Sequence, residues 1–83
     1  MTKPIDKRPL WEWRAVRRLS KTALATAAGL TRHTIADIER GAHHPPRLAT
    51  MTAIANALGV TIYAIDWEAG KRERDAKMTA PAA

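Results

Sequence analysis

Apolar residues recur along this chain at helical spacing, and no stretch alternates apolar and polar as a half-buried strand would. Leu10, Trp13 and either Val16 or Arg17 share one face. Pro9, a residue favoured in a helix's first turn, opens this first helix, which runs to about Arg18. Leu19-Ser20 breaks the pattern. Ser20 is the only serine in the chain and stands where an N-cap belongs, just ahead of Lys21-Thr22-Ala23-Leu24-Ala25-Thr26-Ala27-Ala28. Gly29 closes the second helix, because glycine takes the left-handed C-cap conformation at no steric cost. Only Leu30 and Thr31 then intervene, and Thr31 is the N-cap candidate for a third helix, Arg32 to Arg40, stopped by Gly41. Ala42-His43-His44-Pro45-Pro46 reads as a loop, since paired prolines cannot continue a helix.

A fourth helix is predicted from about Arg47 to Leu58, with Leu48, Met51, Ile54, Ala55 and Leu58 inward and Gly59 as its stop. Thr61 caps a short fifth helix that buries Ile62 and Ile65. From Glu68 onward charges alternate and Thr79-Ala80-Pro81-Ala82-Ala83 follows, the composition of a frayed tail. The expectation is therefore one all-α domain of five helices over residues 9–67. A basic arm (1–8) precedes it and a charged, flexible tail (68–83) follows.

The chain's 83 residues allow one domain at most. The net charge of +6 is unevenly placed: residues 1–47 carry all of it, and residues 48–83 balance to zero. A basic half beside a neutral half suits a surface that meets a polyanion. The absence of cysteine excludes disulfides and thiolate zinc sites and fits a reducing compartment. The three histidines carry no recognised metal-ligand spacing, so neither a metal nor a cofactor is expected. No apolar run nears the roughly 18 residues that span a membrane, and Met1–Arg8 is unlike a signal peptide. A cytoplasmic, nucleoid-associated location follows as the expectation. An enzyme is not expected either: the one serine serves as a cap, and the acids are scattered without a paired constellation.

Two helices joined by a short glycine-containing turn form the supersecondary unit that many DNA-binding proteins use. The specific string is Leu19-Ser20, Leu24-Ala25, Ala28-Gly29-Leu30-Thr31, Ile35 and Ile38-Glu39-Arg40-Gly41, with Pro46, Leu48, Ile54-Ala55 and Leu58-Gly59-Val60 behind it. Over residues 9–66 this resembles the helix-turn-helix domains of the lambda-repressor and Cro type. The resemblance implies operator DNA as partner, a homodimer and a role in transcription, most often repression.

Helical geometry fits that reading. At about 100° per residue, Arg32, His33, Ala36, Asp37 and Arg40 fall on one face while Ile35 and Ile38 fall on the opposite one. From the resemblance, Arg32, His33 and Asp37 are the base-contacting candidates. Arginine can bond guanine O6 and N7 together, and a carboxylate can accept only, which leaves it cytosine N4. Asp37 has a second reading: at i+4 from His33, it simply orients that ring or repels wrong sites. The phosphate candidates are Lys21, Thr31, Thr34, Arg40, His43, His44 and Arg47. Lys21 stands where the family usually has glutamine, and His43-His44, in a loop one residue longer than the pattern, replaces a frequent lysine or arginine. The resemblance also implies a structural ion pair between Arg14 and Glu39, linking the first helix to the third.

A nine-residue helix reads few base pairs, so a two-fold dimer on a palindromic operator is expected, with half-sites about 34–36 Å apart. Val60, Tyr63 and Trp67 are the interface candidates, the alternative for Trp67 being that it folds back over the core. Two further readings stay open. In one, an antitoxin-type or adaptor protein binds its own promoter while the tail (68–83) engages a protein partner. In the other, the third helix is a protein-binding face.

Overall fold

The computed structural model describes residues 7–41 and 46–79, with side chains through residue 76. The architecture is all-α. Its five helices are α1 (Leu10–Arg17), α2 (Lys21–Ala28), α3 (Arg32–Arg40), α4 (Leu48–Leu58) and α5 (Ala69–Thr79). A single 3₁₀ turn (Ile62–Ala64) leads into a two-residue parallel pair between β1 (Arg8–Pro9) and β2 (Ile65–Asp66), with Arg8 opposite Ile65. The pair clips the segment ahead of α1 to the segment after α4.

Local chemistry sets the helix ends. Ser20 Oγ accepts the Ala23 N–H at 3.0 Å, and Thr31 Oγ1 accepts the Thr34 N–H at 3.2 Å. Each satisfies a donor that the first helical turn leaves without a partner. Gly41, at φ 76°, closes α3 in the left-handed region. Arg18 does the same for α1 at φ 55° without being a glycine, a conformation that side chains tolerate poorly.

The core is continuous. Leu10, Leu24, Ile35, Ile54 and Ile65 are essentially inaccessible, and Trp13, Ala25, Ala55, Leu58 and Ala64 fill in around them. Burying each large aliphatic side chain stabilises the fold by roughly 1.5–3 kcal/mol. The Trp13 indole N–H donates to the Ala64 carbonyl at 2.7 Å, so the one polar atom of this ring is satisfied.

The structure decides one open choice and corrects three expectations. Of the two α1 alternatives, Val16 is 46% exposed and makes no part of the core. Arg17, also exposed, lays its guanidinium over the Trp13 ring and donates to the Leu58 carbonyl at 2.9 Å, so it covers the core from outside. Leu48 is 63% exposed, so at the first turn of α4 the helical period does not carry this side chain into the core. The predicted fifth helix is only the 3₁₀ turn, with no side-chain cap from Thr61, since Ile65 is drawn into extended pairing with Arg8. Finally, residues 69–79 form α5 where a frayed tail is expected.

The reason α5 holds is a backbone contact. Gly70 packs against the end of α3 so closely that a Cβ there would collide with the Glu39 carbonyl, and a Cβ on Gly41 would collide with Gly70 and Lys71. Arg74 Nη1 adds a bond to the Gly41 carbonyl at 3.0 Å, and Arg72 pairs with Asp66. Among the described residues, no helix is long and apolar enough to cross a membrane.

Candidate nucleic-acid interface

Helix α3 presents its amino-terminal turn outward. Ile35 is buried, while Arg32 and His33 are exposed, His33 with 80% of its side chain free. The buried residue and the two exposed ones follow from the 3.6-residue period. Asp37 is more covered, and it is engaged on both sides. His33 Nε2 lies 3.1 Å from one carboxylate oxygen, and Arg40 Nη2 bonds the other. The acid thus sits between two residues of its own helix. Each oxygen keeps a second lone pair, so accepting from a cytosine amino group does not require either partner to leave.

Thr31 and Thr34 stand at the start of the same helix with their hydroxyls 3.0 Å apart. Lys21 is the first residue of α2 and is half-buried, and Arg47 is exposed just ahead of α4. Lys21, Thr31, Thr34 and Arg47 therefore stand at or beside helix amino-termini, where backbone N–H groups also face outward, a setting that favours anions. Arg40 is exposed but spends a guanidinium N–H on Asp37. His43 and His44 lie outside the described residues.

Behind the exposed face, Arg14 and Glu39 form a two-point ion pair. Nε meets Oε2 at 2.5 Å and Nη2 meets Oε1 at 2.9 Å, while Nη1 donates to the Leu19 carbonyl at 3.2 Å. One guanidinium thereby ties α1, the α1–α2 turn and α3 together. Donating to the Glu39 carboxylate holds the Arg14 pKa above its ordinary value, against the opposing effect of burial.

The residues singled out for a dimer interface separate here. Tyr63 is 70% exposed, while Val60 and Trp67 pack against the core, the Trp67 indole N–H donating to the Ile62 carbonyl at 2.9 Å. Tyr63 and Trp67 therefore do not share one exposed face.

Two features of the site escape a reading of the sequence. The Arg8 and Arg17 guanidinium carbons each lie 5.5 Å from the Trp13 ring centroid, and the Arg8 contact ties the segment ahead of α1 to that helix. The cleft between α3, α4 and α5, about 760 Å³, gathers Lys7, Lys71 and Arg72 beside Thr34 and Arg47. Its one sequence signal is Gly70, a glycine that ends no helix.

Comparison with known proteins locates this geometry. A profile of the helix-turn-helix family matches residues 12–65, which run from α1 through Ile65. An immunity repressor protein of Bacillus phage phi105 is 44% identical over 52 residues, covering 63% of this chain and 35% of that protein. The chain thus spans about a third of that relative's length. No solved structure matches.

Proposed function

This chain belongs to the helix-turn-helix family, and from that premise we propose that it is a sequence-specific double-stranded DNA-binding regulator acting as a repressor. The observation that carries the reading is α3. It is capped at both ends, held from behind by Arg14–Glu39, and offers Arg32 and His33 to solvent. Such a helix fits the major groove, where Arg32 can bond guanine through two N–H groups and His33 can meet an acceptor edge. Asp37 tunes the set by orienting His33 and Arg40. Lys21, Thr31, Thr34 and Arg47 hold the phosphates on either side.

The repressor role draws support from the phage immunity repressor, whose similarity falls on 63% of this chain. In our reading this chain acts as a homodimer on a palindromic operator, with Tyr63 as the exposed aromatic at the contact between copies. Selection from a random duplex library tests this. A two-fold-symmetric site whose half-sites are about one helical turn apart is the expected product. A library that yields no enriched sequence would contradict sequence-specific binding, and an enriched half-site alone would contradict the dimer.

A further inference from the structure

Helix α5 lies beyond the matched span 12–65, yet it is seated on the end of the recognition helix by the Gly41–Gly70 contact. That contact fixes where the next residue, Lys71, stands relative to α3. Lys71 lines the cleft that also holds Thr34 of α3, Arg47 ahead of α4 and Lys7 ahead of β1. All three cations are exposed, and they come from three separate parts of the chain. The acids of the same cleft are largely engaged: Asp37 by His33 and Arg40, and Asp66 by Arg72. Glu68 is the exception, forming no ion pair among the described residues.

We propose that Lys7, Arg47 and Lys71 form a second phosphate-holding ridge, which brings α5 into the DNA-binding surface. The proposal rests on the DNA reading above and extends it past the family's own span. Its partner is the backbone of duplex DNA, since exposed cations drawn from three parts of the chain match phosphates, which are held by charge, better than base edges, which need a fixed pattern of donors and acceptors. Part of the binding strength is then independent of sequence and is supplied by a helix that touches no base.

The test is the salt dependence of binding to a short mixed-sequence duplex, measured between about 50 and 200 mM salt. For Lys7→Gln/Lys71→Gln, the slope of log affinity against log salt should flatten by about two units, one for each phosphate that is no longer neutralised. Glu68→Gln should raise affinity for the same duplex, which a merely structural role of the ridge does not predict. Far-UV circular dichroism of both variants should match the unaltered protein, because all three positions are exposed. A wild-type slope in the double variant, with Lys21→Gln still flattening it, would overturn the ridge and leave the DNA reading intact. A parent protein with no salt-dependent affinity for duplex DNA would overturn both.

Discussion

Replacing Glu39 with alanine removes the acceptor of two Arg14 N–H groups and strands a cation of which only 18% of the side chain reaches solvent. Hydrogen bonds to charged groups contribute roughly 1.5–3 kcal/mol each, so the pair represents about 3–6 kcal/mol before compensation. Arg14 keeps its bond to the Leu19 carbonyl, and water can reach part of the guanidinium. A net loss of about 3–4 kcal/mol results, within the range for breaking a buried pair. For a domain of this size, that lowers Tm by about 12–30 °C. Urea unfolding followed by far-UV circular dichroism measures the loss directly, with an unchanged slope showing that the unfolded state is the same. Arg14→Met/Glu39→Met should recover much of it, because neither charge is then left alone. A Glu39→Ala midpoint within about 1 kcal/mol of the parent would refute the claim that this pair anchors α3.

Three further outcomes follow from the packing. Trp13→Phe keeps most of the buried ring but removes the indole N–H that donates to the Ala64 carbonyl, and a thermal melt should show a loss of about 0.5–1.5 kcal/mol; no change would mean that this bond adds nothing net. Gly70→Ala would stabilise an isolated helix by about 1 kcal/mol, yet here the added Cβ meets the Glu39 carbonyl. Net destabilisation and faster amide exchange across 69–79 are expected, and a more stable variant would disprove the close seat of α5. The Arg72 hydrogen bond holds the Asp66 pKa below the usual carboxylate value. Its contribution to stability is therefore complete above the unfolded value of about 4 and disappears as pH falls through the lower folded one. Asp66→Asn should flatten the acid limb of stability against pH, and an unchanged limb would show that this carboxylate carries none of it.

Helices α2 and α3 are legible to the residue because both their ends are written in side-chain chemistry: Ser20 and Gly29 for one, Thr31 and Gly41 for the other. The i, i+4 spacing likewise places His33 beside Asp37. Elements held by distant partners are not written locally. Ile65 looks helical beside Ile62, and only the far-off Arg8 makes it extended. Helix α5 has no strong apolar stripe and is held by a glycine pair, so the signal lies in what Gly41 and Gly70 lack. Leu48 fits the core stripe of α4 by period alone, but the neighbouring helices leave that turn uncovered. Tyr63 and Trp67 share a helical spacing that vanishes once Ile65 and Asp66 become a strand.

Base reading by α3 through Arg32 is tested most directly by the base-preference profile of Arg32→Ala beside that of the parent. Both are determined on duplexes differing by single base pairs around the selected site. The expected result is a loss of about 1–3 kcal/mol on the preferred site and relaxed preference at one position in each half-site, all others unchanged. A variant that keeps the full profile of the parent would contradict base reading by α3, since a residue offered to the groove would then carry no sequence information.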